Sequence, residues 1–217
     1  MSLASFQKPI DLDQLVKQRR SIRKFQADPP PEEWINDLIA CASQAPSPSN
    51  RQSVRFARIV SDKKKQLIRD NIRVSCDQLL MKINMLDLKK QLKNKVKAYF
   101  RFSDFMFDAP WLFAVGVEHT SQDDFNTSLI NAGLTGNTQL NSDNISVGLA
   151  VQLFMLKATE MGLGTCILTA PLIFVPELKK MPALSYMNLK CFLAVGFPDE
   201  SPDIPPRKPI SEFYSEI

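Results

Sequence analysis

The segment from Ile145 to Met161 limits what this chain can fold into more than any other. Ile145, Val147, Leu149, Ala150, Val151, Leu153, Phe154, Met155, Leu156, Ala158 and Met161 occupy almost every side of a helix drawn through it. A helix that is apolar all round must be buried all round. Its expected place is a domain core or a subunit interface. At 217 residues the chain is long enough to bury such a helix without disulfide or metal staples. That length fits one sizeable domain or two small ones, and the absence of a repeat or low-complexity tract favours one.

Other elements follow from pattern. Asp11–Arg19 reads as a helix with Leu12, Leu15, Val16 and Arg19 on one face and Asp11 as cap. Asp28, three prolines and Glu32-Glu33 announce a second helix, which buries Trp34, Ile35, Leu38, Ile39 and Ala42 and stops at Pro46 and Pro48. Val54–Ser61 reads as a strand. Lys63–Arg101 is mostly helical, amphipathic and lysine-rich, and Asp108-Ala109-Pro110 breaks it. Trp111–Val117 and Leu189–Phe197 are nearly continuous apolar runs, expected as strands covered on both faces. Glu118–Asn144 is polar and divides evenly between a helix near Phe125–Leu134 and a loop. Gly162 suits a left-handed cap. Thr165–Thr169 reads as extended and Val175–Met181 as a short helix begun near Pro176. From about Pro198 the chain is proline-rich and is expected to run extended over a surface. Strands separated by helices make the class α/β or α+β, one sheet covered on both sides.

Several function classes drop out. A net charge of +4 is too small an excess to predict nucleic-acid binding, though it allows an anion site or two. Cys41, Cys76, Cys166 and Cys191 form no CxxC, and most sit in apolar runs, as buried thiols of a reducing compartment do. With His119 the only histidine, neither a structural zinc site nor a Ser-His or Cys-His hydrolase is expected. No basic stretch followed by an apolar core opens the chain, and no apolar run approaches the roughly 20 residues that span a bilayer. The expectation is a cytoplasmic protein with neither membrane nor nucleic acid as partner.

Four segments could carry chemistry. Arg19-Arg20-Ser21-Ile22-Arg23-Lys24-Phe25 is a dense donor cluster suited to phosphate, or else a solvated helix end. Ala45-Pro46-Ser47-Pro48-Ser49-Asn50-Arg51-Gln52 could face the polar edge of a ring ligand, or be an ordinary turn. Gly162-Leu163-Gly164-Thr165-Cys166 is neither a Walker loop nor GxGxxG. Pro205-Pro206-Arg207-Lys208-Pro209 offers two cations between stiff flanks, which lowers the entropy lost on fixing an anion, or it is a solvated tail.

Taken in order, RRSIRKF, APSPSN before a strand, a buried helix ending GLGTC, LAVGFP and PPRKPISE resemble the FMN-dependent nitroreductase family from about Leu15 to Glu212. The tail resembles that of the iodotyrosine deiodinase branch. The resemblance implies a single α+β domain over 1–217. Its central sheet would be mixed and covered by helices on both faces, and the protein would be an intertwined homodimer whose tails embrace the partner. It implies FMN bound by Arg19, Arg20, Ser21 and Arg23, with the arginines on the phosphate and ribityl chain and Arg23 at the pyrimidine edge. Ser47, Ser49 and Asn50 would come from the neighbouring subunit or line the ring. The backbone near Leu168, Thr169 and Ala170 would lie beside the reactive nitrogen, and Arg207, helped by Lys208, would close on the phosphate. No protein side chain is implied as catalytic and no metal is implied.

The implied activity is ping-pong transfer of hydride from NAD(P)H through the flavin to a nitroaromatic, quinone or similar acceptor, the protein supplying placement and charge. A storage or sensing flavoprotein, a same-fold enzyme of reductive dehalogenation or flavin destruction, and a non-flavin phosphate binder are the other readings. Two departures bear on the substrate. Asn50-Arg51-Gln52-Ser53-Val54 lacks the family's frequent Pro-Trp, and Thr169-Ala170 stands where many members carry glycine or an acid.

Overall fold

A computed structural model describes residues 11–86, 90–119, 125–134, 142–174 and 184–216. The helices are α1 (Leu12–Gln18), α2 (Trp34–Ser43), α3 (Asp62–Met85), α4 (Lys90–Asp104), α5 (Phe125–Asn131), α6 (Ser142–Glu160) and α7 (Pro171–Phe174). The strands are β1 (Val54–Arg58), β2 (Trp111–Glu118), β3 (Gly164–Leu168) and β4 (Met187–Gly196), in the sheet order β1-β2-β4-β3.

The two apolar runs became the two central strands. Between Trp111 and Val117 every residue is buried. Alternate side chains serve opposite faces. Leu112 and Ala114 join Phe192 and Ala194 in a core closed by α3, α4 and α7, with Ile68, Ile72, Met106 and Phe174. Trp111, Phe113 and Val115 join Leu193 and Val195 in a second core closed by α2 and α6, with Leu38, Val151 and Phe154. Helices thus cover both faces.

The expected mixed sheet is corrected. All three strand pairings are antiparallel, and the one parallel bridge, Ser21 with Thr165, lies outside the named strands. For β1 and β2 the direction follows from the connection between them. α3 and α4 form an antiparallel pair between β1 and β2, because Arg69 near the start of α3 grips Asp104 at the end of α4 with two bonds of 2.8 and 2.7 Å. Two helices return the chain to the end where β1 finished, so β2 must run the opposite way. The long helix α6 carries the chain back so that β3 runs in the direction of β2, but β4 lies between them, antiparallel to each.

A bulge interrupts the β2–β4 pair. Val115 faces Cys191 and Gly116 faces Leu189, which leaves Lys190 unmatched. The extra residue flips the side-chain alternation, so Met187 and Leu189 point to the same core as Phe192 and Ala194. It also presses the backbones together: a Cβ on Gly116 would stand 2.5 Å from the Asn188 carbonyl oxygen. Gly116→Ala is therefore expected to cost about 3 kcal/mol, the upper end of overpacking, because backbone rather than a movable side chain must yield. A urea midpoint equal to that of the parent would show that the strands separate freely there.

Local expectations fared unevenly. The second helix begins at Trp34, not after Asp28, because the three prolines lack the N–H groups to join it and hold the residues before them extended. Val54–Ser61 shortens to Val54–Arg58, since Ser61 caps α3 by accepting from the Lys64 amide. Lys63–Arg101 divides into α3 and α4. A helix does occupy part of Phe125–Leu134. Gly162 ends α6 at φ +78°, the left-handed region glycine enters without penalty. The tail beyond Pro198 is exposed and extended, apart from a tight turn at Ile210–Glu212. The helix expected at Val175–Met181 lies outside the described residues.

Two expected buried faces are only partly buried. On α6, Val147, Ala150, Val151, Phe154, Met155 and Ala158 are enclosed, yet Ile145 is 62% and Leu149 41% exposed. On α1 only Leu15 is buried, while Leu12 and Val16 stand in solvent. The two helices are neighbours. Within one chain, then, α6 buries most of its apolar residues and leaves Ile145 and Leu149 uncovered.

Candidate functional site

The basic segment leaves α1 at Arg19 and turns extended at once, with φ −54° and ψ 127°. It then runs along the open edge of β3. Ser21 bridges Thr165, and the Ile22 amide donates to the Thr165 carbonyl at 2.9 Å. Its other side is held by the start of the tail. The Gln26 amide donates to Phe197 O at 2.9 Å, the Asp199 amide to Lys24 O at 3.0 Å, and the Glu200 carboxylate accepts from the amides of Arg23 and Lys24. A strand edge and a Pro-rich tail, distant in sequence, thus fix a line of cations.

Within that line Arg19 differs from the rest. No acid or hydrogen-bond acceptor pairs with its guanidinium among the described residues. Burial lowers its proton affinity, and the charges of Arg207 and Arg20 lower it further. It stays protonated, as arginine does. Two cations held near each other without an acid are matched by an anion rather than by solvent alone. Thr165 of β3 is buried, and its hydroxyl has no hydrogen-bond partner among the described residues.

The other basic residues are partly committed. The Arg20 guanidinium turns back to the carbonyls of Lys17 and Arg19, the helix-end role that a solvated reading assigns it. Arg23 donates to the Ser21 carbonyl at 3.3 Å. Lys208 is tied to Glu212 at 2.7 Å. Leu168 is buried at the end of β3, Thr169 is exposed and Ala170 half-buried at the entry to α7.

Ser47, Ser49 and Asn50 are not brought to this place. They form a tight turn before β1, the opposite edge strand, three strand spacings or roughly 14 Å across the sheet from β3. They also lie toward the other end of the strands, since Val54 pairs with the end of β2 whereas Thr165 pairs with Val195 near the end of β4. Ser49, Asn50 and Gln52 all have positive φ, 50°, 53° and 48°. The strain is held by the Gln52 amide on Ser47 Oγ (2.9 Å) and by Gln52 Nε2 on Asn50 Oδ1 (3.0 Å). Next to this turn a cleft of about 370 Å³ is lined by Ile39, Ala42, Ser47, Gln52, Phe56 and Ala150, among others. One chain therefore carries two half-sites, one cationic and one polar-apolar.

Glu200 stands outside the segments singled out in the sequence, and Thr165 and Gln52 lie within them without a role of their own. Glu200 and Thr165 act through contacts with residues far away in the chain, which no local pattern records. Burial raises the Cys76 and Cys166 thiols above the ordinary range and Cys191 to about 12, which makes these three poor nucleophiles.

Known proteins share this fold. The model of the Nitroreductase family matches residues 16–197. The chain belongs to the nitroreductase family. Among its relatives is the iodotyrosine deiodinase of Thermotoga neapolitana, 28% identical over 203 residues, 93% of this chain and 96% of that one. A BluB-like flavoprotein from Clostridium difficile 630 superposes with a TM-score of 0.79 at 25% identity, covering 96% of this chain and 99% of the other. An iodotyrosine deiodinase crystallised with FMN and 3-iodo-L-tyrosine superposes at 0.66 and 26% identity, covering 92% and 96%. In this nitroreductase-family chain the cationic line matches the RRSIRKF motif, and the strained turn matches APSPSN.

Proposed function

We propose that this chain is an FMN-dependent oxidoreductase that takes hydride from NAD(P)H and passes it to a small acceptor. The observation that carries the reading is Arg19, which feels the charges of Arg207 and Arg20 and has no acid paired with it among the described residues, in a family with FMN-bound members. Those groups fit a phosphate ester. Arg19 and Arg207 would hold the phosphate, Ser21 and Thr165 would offer hydroxyls near it, and Arg23 would place positive charge farther along the segment. The backbone from Leu168 to Ala170 would lie along the ring. FMN, when bound, supplies the hydride-accepting and hydride-donating chemistry.

The second half-site implies a second copy. The Ser47–Asn50 turn and its cleft cannot reach the arginines of the same chain, but a partner's could. The exposed Leu12, Val16, Ile145 and Leu149 on α1 and α6 are the apolar surface that such a homodimer would bury. In this reading the unusual Val54, in place of an aromatic, widens the cleft and alters which acceptor enters.

The test is the visible spectrum of the purified protein before and after NADH or NADPH is added without oxygen. Flavin bands that bleach with either nucleotide are expected. Bands that persist would turn the reading into a binding protein without turnover, and a protein that stays colourless after added FMN would end it. The deiodinase relatives favour reductive dehalogenation as the alternative reaction. Release of iodide from iodotyrosine, with little nitroaromatic reduction, would select it.

A further inference from the structure

The bonds that hold the strained turn before β1 from within end at Gln52. Ser49, Asn50 and Gln52 stand in the left-handed region, where residues other than glycine are uncommon. Ser53, the next residue, occupies the position where the family often carries proline. No ring therefore fixes the backbone as it leaves the turn.

The restraint beyond Gln52 comes from Arg55. Its Nη1 donates to the Gln52 carbonyl at 2.8 Å and to the Val54 carbonyl at 3.0 Å. Nη2 of the same guanidinium pairs with the carboxylate of Glu118, the last residue of β2. The Glu118 amide in turn donates to the Ser53 carbonyl at 3.0 Å. Three successive carbonyls, those of Gln52, Ser53 and Val54, are each taken by Arg55 or Glu118. A guanidinium suits this task because its plane holds several donors at set angles. Arg55 lies opposite Gly116, which has no side chain, and reaches the diagonal neighbour Glu118. Arg55, Ser47 and Gln52 line the same cleft.

We propose that Arg55, anchored by Glu118, is a positioning residue that sets the Ser47–Gln52 turn against the flavin ring bound by a second copy. The inference rests on the FMN reading above and adds to it the group that keeps the turn in shape. Without the fork, the Gln52 and Val54 carbonyls lose their donor, and the left-handed residues relax toward ordinary turn geometry. Ser47 and Asn50 then lose the fixed spacing that the polar edge of a ring requires. Arg55 belongs to the ring half-site and Arg19 to the phosphate half-site, so their losses read out differently.

The test compares the absorption bands and reduction potential of the bound flavin, at saturating FMN, in the parent and in Arg55→Met. Both should shift, and FMN affinity should fall about three- to tenfold, the loss of one or two neutral hydrogen bonds. Arg19→Ala should weaken FMN while leaving the bands of the bound flavin where the parent has them. Glu118→Ala should shift the bands in the same direction as Arg55→Met, by less. The double variant should be no worse than Arg55→Met alone, because Glu118 acts through Arg55. Hydrogen exchange of the apo protein reads the turn without flavin: amides of residues 49–53 should exchange faster in Arg55→Met at unchanged molecular mass. If Arg55→Met does not fold, Arg55→Lys, which keeps the charge but not the fork, takes its place, with a smaller shift in the same direction expected. A folded, yellow variant whose flavin matches the parent's would overturn the proposal, as would Arg55 and Glu118 effects that add. A parent that takes up no FMN would end the FMN reading itself, and this inference with it.

Discussion

Arg19→Ala should weaken FMN binding between about tenfold and a hundredfold, with the apo protein no less stable than the parent. A hydrogen bond to a charged group contributes about 1.5–3 kcal/mol, and 1.4 kcal/mol is tenfold in affinity. What makes the expectation sharp is its second half. Arg19 is partly buried, beside Arg207 and Arg20, and has no acid partner among the described residues. Removing it relieves repulsion and desolvation in the empty protein while removing attraction in the loaded one. Loss of affinity and constant or raised apo stability should therefore appear together. Arg207→Ala should act in the same way. Lys208→Ala should do less, because Lys208 already faces Glu212. Fluorescence titration of FMN and thermal unfolding of the apo forms measure both quantities. Unchanged affinity in both arginine variants would remove the phosphate assignment, whereas lower apo stability would make Arg19 a structural residue.

Phe154→Ala has the largest expected effect on stability, about 3–5 kcal/mol, the usual cost of emptying a buried phenylalanine site. Phe154 is fully buried at the middle of α6. Its ring stacks on Phe56 of β1 at 5.4 Å and meets Phe113 of β2 edge-on at 5.5 Å, so one side chain fastens the helix to two strands. Small domains have only about 5–15 kcal/mol in total, so the variant should be folded but easily unfolded. Phe56 also lines the cleft beside Ser47, and the vacated volume opens toward it. Urea titration decides the matter: a loss below about 1 kcal/mol would mean that α6 collapses onto the sheet without the ring.

The parts of the fold that could be read in advance were those where neighbouring residues decide the outcome. The runs Trp111–Val117 and Leu189–Phe197 became central strands because nothing but burial on both faces suits them. Gly162 stopped α6 because the turn needs positive φ. Strand direction was not legible, since it depends on how each connection folds back and on where β4 is inserted. The pattern of α6 announces burial, in a core or a subunit interface, but does not say which of the two covers Ile145 and Leu149. The arginine cluster was visible as a cluster. Which arginine lacks a partner was not, because Glu200 and Glu212, which occupy its neighbours, lie nearly the whole chain away.

That distance affects when the site can exist. Arg23 and Glu200, joined through a main-chain amide, are 177 residues apart. During synthesis the cationic segment emerges long before the strand edge and the tail that hold it. Until Phe197–Glu200 leaves the ribosome, Lys24 and Gln26 have no partners and the arginines no fixed spacing. The cationic edge is thus assembled only after the segment 177 residues downstream has been made, and a chain cut short before that point carries the motif without the contacts that hold it.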